Sequence, residues 1–281
     1  MSKTYRYRLN IDQYRLLAKY VESNVKAHEL DDMCILEIGS RDAADAFLLS
    51  CLLSHNHQII AFDPHSRFIE LASPFARLNP NLILENIAIG SYTGNTKFYA
   101  TDTTGVVEKC DDTGIGASSI KEPILDVPGL PTQAFNELLV PCMTGEDYCD
   151  KNARHPRVLI LDVQGAEIEV LRSFGKYLNE VNLIFTEFNI DSGKLYKNDT
   201  HARALLDFLQ SESFLLVKCY GISQYAADGI FVNVNAIRRN EGHAYPLALK
   251  LDFLFSIAKL FTLTKLRRAY CYLQNVIKRG M

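Results

Sequence analysis

The stretch that decides the fold is Met33 to Ala43, M-C-I-L-E-I-G-S-R-D-A. Cys34, Ile35, Leu36 and Ile38 form a short apolar run of the kind that makes a buried parallel strand. The run closes on Glu37 and Gly39, and helical periodicity follows. A strand that breaks at a glycine turn and opens a helix leaves an exposed floor for a nucleotide-like ligand at the carboxyl end of a sheet. About twenty residues later, the spacing of doubly wound nucleoside sites, a second apolar run from Gln58 to Phe62 ends in Asp63. An acid at that place reaches ribose hydroxyls, so the two strand ends together signal a nucleoside site.

The first turn is not a full glycine-rich phosphate loop, because Arg41 and Ala43 stand where further glycines would be. A dinucleotide needs close backbone approach to its pyrophosphate there. A ligand without phosphates fits better, and S-adenosylmethionine is one: adenosine joined to a sulfonium amino acid. An NAD-type dehydrogenase predicts a G-x-G-x-x-G turn, which is absent. A binding module that keeps the fold without catalysis is the other alternative.

Composition sets outer limits. The chain has 281 residues, 48% hydrophobic and 22% charged, ordinary for a globular protein with one large α/β domain and appendages. A net charge of -3 gives no reason to expect nucleic acid as a partner. The seven cysteines are scattered, odd in number and without a C-x-x-C pair, which favours free thiols in a reducing compartment. The basic start, M-S-K-T-Y-R-Y-R, is followed by no apolar h-region, so no signal peptide is expected. No apolar run approaches the ~20 residues that span a bilayer. The expected location is the cytoplasm, with the inner face of the membrane as a peripheral station.

Outward from the opening stretch, residues 9–27 carry Ile11, Tyr14, Leu17 or Ala18, Val21 and Val25 at helical spacing, an amphipathic helix with a stripe to bury. Strand 33–38, helix 42–54, strand 58–63, a helix to about Leu78 and strand 82–89 give β-α-β-α-β, half of a doubly wound sheet. G-S-Y-T-G-N-T-K-F-Y then reads as a hairpin turning at Thr93 to Asn95. Residues 101–133 are broken by Gly and Pro and read as a lid or substrate loop. A short strand at 138–144, a helix at 145–152, strand 157–163, helix 165–173, strand 181–188 and helix 200–211 follow. A terminal hairpin, 214–220 with 229–235, completes the pattern. Three parts are thus expected: a helical segment 1–32, a domain 33–235 and a tail 236–281.

Several segments, in order, resemble the FkbM-type methyltransferases: L-E-I-G-S-R-D, A-F-D-P-H, N-P-N-L-I-L-E-N-I-A-I-G-S, G-A-S-S-I, V-P-C-M-T, L-I-L-D-V-Q-G-A-E-I-E-V-L and D-G-I-F-V-N. D-V-Q-G-A-E-I-E-V-L at 162–171 is the most specific, and the resemblance spans about 33–235. It implies the seven-strand, Rossmann-like methyltransferase sheet, mostly parallel with a terminal antiparallel hairpin. It also implies S-adenosylmethionine as donor and O-methylation of a sugar, glycan or secondary metabolite. By position, Glu37, Gly39 and Asp63, with neighbours Ser40, Arg41 and Pro64, would hold the methionine and ribose ends. Asn86 would lie near adenine, Asp162 near the reacting methyl, and Ser118 and Ser119 would close over donor or substrate. Gly145 departs from the leucine usual after the V-P-x-x-T threonine.

Asp162, Glu187 and His65 are the bases available near this expected site, since a hydroxyl nucleophile must lose a proton as it attacks. The rival reading of Asp162 is an N-cap for the helix that starts near Gly165, and the family match at 162–171 favours the functional one. Glu167 and Glu169 read as an ordinary polar helix face. His55, His57, His155, His201 and His243 form no metal-ligand spacing, so no metal is expected. The tail from Tyr245 is apolar on most faces and basic at intervals. Packing on its own domain, homo-oligomer contact and an anchor on an anionic membrane all suit it.

Overall fold

The computed structural model describes residues 11–25, 33–54, 56–101, 117–124, 135–189, 196–198, 200–220 and 226–235. The tail 236–281 and most of the loop 101–133 lie outside these residues, as do His55 and His243. Strands β1 (Met33–Ile38), β2 (His57–Phe62), β3 (Leu82–Glu85), β7 (Pro156–Leu161), β8 (Leu183–Asn189), β9 (Phe214–Tyr220) and β10 (Ala226–Asn233) form one seven-stranded sheet. Its order is β3-β2-β1-β7-β8-β10-β9. All neighbours are parallel except β10, which lies between β8 and β9 and runs antiparallel to both. The expected seven-strand sheet is present, with its last strand inserted inside the edge.

The two faces follow from the period of two along a strand. Ile35, Ile59, Ala61, Val158, Ile160 and Leu183 face one layer with helices α1 (Ile11–Asn24), α2 (Ala44–Leu52) and α3 (Phe68–Leu78). Leu36, Ile60, Phe62, Leu159, Leu161 and Ile184 face the other, with α4 (Gly145–Asn152), α5 (Glu167–Ser173) and α6 (Ala202–Ser211). Helix α1 buries Tyr14, Leu17, Ala18 and Val21, and the Tyr14 ring meets Phe185 edge-on at 6.2 Å. Ile11, expected in that stripe, is the first residue of the helix and is 43% exposed.

Two expectations fail for one reason. The run 82–89 is two strands: β3 pairs with β2 as far as Phe62↔Glu85, while β4 (Ala88–Ile89) leaves for a second sheet. The break is at Asn86, whose side-chain amide donates to the carbonyls of Asp63 (2.7 Å) and His65 (3.0 Å). Bonding the strand end to the neighbouring loop stops the ladder and redirects the chain. Nor do residues 88–101 make a simple hairpin. Strand β6 (Phe135–Met143), longer than expected, lies between β4 and β5 (Gly94–Thr101), parallel to the first and antiparallel to the second. Ala88, Phe98, Ala100, Val140 and Cys142 form a separate small core there.

Candidate active site

The carboxyl ends of β1, β2 and β7, the side of α3 and the small sheet enclose a cavity of about 410 Å³. Asp42, Asp63 and Asp162 line it beside Gly39, Arg41, Pro64, His65, Arg67 and Ser118. Leu71, Pro74, Phe75, Ile87 and Phe98 supply a broad apolar wall.

Local backbone chemistry explains this shape. Gly39 has φ +84, and a Cβ there would overlap the carbonyl oxygen of Asp162, so only glycine lets β1 and β7 end side by side. The turn closes on itself. The amides of Gly39 and Ser40 donate to Phe62 O at 2.9 Å each. The Arg41 amide donates to Asp63 Oδ2 at 2.8 Å. Those of Asp42 (2.6 Å) and Ala43 (2.8 Å) donate to Ser40 O, and that of Ala44 to Asp42 Oδ1 (3.2 Å). The turn's amides from Gly39 to Ala44 are all engaged, and three carboxyl groups line the cavity, an arrangement that disfavours a pyrophosphate. Arg41 and Ala43, at φ 56 and 59, hold the left-handed geometry that glycine would adopt without strain.

The expected residues divide into cavity wall and support. Gly39, Arg41, Asp63, Pro64, His65, Ser118 and Asp162 line the cavity; Glu37, Ser40, Asn86, Ser119 and Glu187 do not. Glu37 is buried below the turn and accepts the Ser40 hydroxyl; burial, then the charge of Asp45, pushes its pKa up to about 8. Asp63 accepts the amides of Arg41 and His65 (2.8 Å each), while burial raises its pKa. Asn86 props the Asp63–His65 loop from behind. The Ser119 hydroxyl donates toward the carbonyls of Val163 (3.2 Å) and Gln164 (2.9 Å), tying segment 117–124 to the end of β7.

Asp162 stands at the end of β7, where burial raises its pKa. Glu187, on β8, is pushed up to about 9 by burial and then by the charge of Asp162. A single amide joins them: Gln164 Nε2 lies 2.6 Å from Asp162 Oδ1 and 2.9 Å from Glu187 Oε2. His65 Nδ1 accepts the amide of Arg67 at 3.2 Å.

The helix-face reading is wrong for Glu167. Glu167 is buried and accepts the amide of Gly165 at 2.9 Å, with burial pushing its pKa up to about 7. Glu169 binds Ser91 (2.9 Å) and pairs with Lys121. Glu167 is internal because α5 begins directly under segment 117–124, a placement that helical period cannot reveal, while Glu169 stays half-buried. His57 is a core histidine 2.6 Å from the Ser50 hydroxyl. Among the described residues, no group of three or more His, Cys, Asp or Glu is arranged to hold a metal.

Sequence reasoning missed Asp42, Gln164 and the α3 wall. The first two lie inside the quoted motifs. Leu71, Pro74 and Phe75 share one helix face, a signal indistinguishable from core packing until the cavity is seen.

A phosphate-free cation with an apolar ring system suits such a cavity. The acids favour positive charge, the apolar wall accommodates adenine, and S-adenosylmethionine carries both features. Asp63 and the turn would hold ribose and the methionine end, with Asp162 facing the sulfonium side.

Comparison with known proteins gives the same direction. Residues 34–216 match the methyltransferase FkbM domain. The 2-O-methyltransferase NoeI of Sinorhizobium fredii (strain NBRC 101917 / NGR234) is 28% identical over 204 residues, 67% of this chain and 79% of that one. The crystal structure of methyltransferase FkbM from Methylobacillus flagellatus KT aligns with TM-score 0.45 at 8% identity, covering 76% of this chain and 50% of that one. A putative O-methyltransferase from Klebsiella pneumoniae aligns with TM-score 0.45 at 8% identity, covering 82% and 83%. The chain belongs to the FkbM methyltransferase family and is an S-adenosylmethionine-dependent methyltransferase.

Proposed function

We propose that this enzyme methylates a hydroxyl oxygen, on a sugar, glycan or secondary metabolite, with Asp162 taking up the hydroxyl proton. The observation that carries the reading is an accessible carboxylate in the cavity wall whose Oδ1 is held by Gln164, while Oδ2 accepts no hydrogen bond from a described residue. The bound donor supplies an electrophilic methyl carbon on a sulfonium. The chain's own residues orient the acceptor, exclude water through the apolar wall and receive a proton at Asp162 Oδ2. Of the other two candidates, Glu187 does not line the cavity, and burial and the charge of Asp162 raise its pKa. His65 has Nδ1 already engaged by the Arg67 amide. Support for oxygen as the target comes from NoeI, by name a 2-O-methyltransferase.

The test is transfer of labelled methyl from S-adenosylmethionine to a panel of methyl glycosides and to small-molecule cell extract, with the labelled position assigned by NMR. Label on oxygen supports the reading, and label only on nitrogen or carbon sinks it. Asp162→Asn is expected to lower turnover by about 10²–10⁴-fold, with S-adenosylhomocysteine affinity within about threefold by calorimetry. Full turnover in that variant would remove Asp162 from proton transfer. For the tail, a contact with membrane or with a second copy through 245–281 remains part of the proposal. Co-sedimentation with anionic liposomes and sedimentation velocity, with and without those residues, test the two versions.

A further inference from the structure

Gln164 has two unusual properties at once. Its backbone sits in the left-handed region, φ 51, a conformation that non-glycine residues rarely adopt. Its side chain turns back across the sheet edge, where one NH₂ reaches Asp162 Oδ1 at 2.6 Å and Glu187 Oε2 at 2.9 Å. An amide nitrogen has two hydrogens, and here each meets a carboxyl group from a different strand. Glutamine also suits the place electrostatically. Glutamate would add a third acid, lysine or arginine would neutralise the pair, and asparagine is one methylene too short to bridge both.

The bridge is itself anchored. The Gln164 carbonyl accepts the Ser119 hydroxyl at 2.9 Å, and Ser118, the adjacent residue, lines the donor cavity. The amide of Gly165, next in sequence, donates to Glu167, and its carbonyl accepts the Thr200 amide. The turn is thus braced on both sides of Gln164.

We propose that Gln164 is a positioning residue for methyl transfer, an amide clamp that fixes the Asp162 carboxylate against Glu187 and leaves Oδ2 toward the acceptor oxygen. This rests on the reading of Asp162 as proton acceptor. Both hydrogen bonds favour the ionised forms. The other groups facing the pair are Arg41, Asp45, Asp63, Glu37, Glu167 and Asp228 for Asp162, and Asp228 and Glu167 for Glu187.

The test uses Gln164→Gly, which removes the amide and relieves the backbone, and Gln164→Met, which keeps the volume without the donor. Carbon-13 titration of the Asp162 and Glu187 carboxyls in the full chain needs no acceptor. Loss of the clamp is expected to move both midpoints to higher pH in both variants, with S-adenosylhomocysteine affinity within about threefold of wild type. Transfer to the methyl glycoside labelled by the wild type should fall about 10- to 100-fold in kcat, and the acidic limb of its pH profile should move up. Unmoved midpoints overturn the clamp whatever happens to activity. Moved midpoints with unchanged kcat overturn its part in transfer. Wild-type turnover in Asp162→Asn is a separate outcome: it overturns the proton-acceptor reading without involving residue 164.

Discussion

At the scale of single residues, the site depends on a few atoms with no substitute. Asp63 supports its own turn through the amides of Arg41 and His65 and also faces the cavity. Asp63→Asn keeps one acceptor oxygen and loses the charge. It is expected to weaken S-adenosylmethionine binding by about 10- to 100-fold, the loss of a charge-assisted bond of about 1.5–3 kcal/mol. Calorimetry showing unchanged affinity would take Asp63 out of donor binding. Gly39→Ala faces both a positive φ and the Asp162 carbonyl, so β1 and β7 must part at their ends. A thermal shift on adding S-adenosylhomocysteine should be absent in that variant, and a normal shift would disprove the close approach.

At the scale of elements, one departure from the family pattern finds its reason in α4 and the turn after α5. Gly145 opens α4 against the ring of Phe174, where a Cβ would lie 2.7 Å from ring carbons. The Thr144 side chain caps this helix by accepting the Asp147 amide at 3.0 Å, and the Ser173 hydroxyl accepts the Gly145 amide. The space a leucine would occupy is filled by Phe174. Gly145→Ala should therefore destabilise the fold by about 1–3 kcal/mol, the usual cost of overpacking. In a double-mutant cycle, Phe174→Leu should recover part of that loss. Additive losses in urea unfolding would argue against the contact.

At the scale of the whole molecule, the carboxyl edge of the sheet gathers acids that burial and mutual repulsion hold protonated above their ordinary range. Glu37 is pushed up to about 8, Glu167 to about 7 and Glu187 to about 9. Such a group binds its proton more tightly folded than unfolded, so its contribution is complete below about pH 4.5, the ordinary glutamate value, and is lost as pH climbs through 7 to 9. Without ligand, Tm should fall between about pH 6 and pH 9. A bound sulfonium opposes the repulsion, so S-adenosylmethionine should raise Tm more than S-adenosylhomocysteine, with the gap widening as pH rises. Differential scanning fluorimetry across that range checks both; a flat Tm or equal shifts would refute the acid-edge account.

Local chemistry in the chain was enough to determine the alternating elements, the strand ends at Glu37, Asp63 and Asp162, and the glycine at 39. Apolar period and turn residues are properties of neighbours in sequence, and the quoted motifs carried the family with them. Pairing partners were decided only in three dimensions: β6 entering between β4 and β5, β10 between β8 and β9, and the break at Asn86. So was the sorting of motif residues into cavity wall and buried support, which separated Asp162 from Glu187 and made Glu167 internal. A side chain's direction relative to a distant strand depends on packing across the sheet, and no short stretch of sequence contains that information.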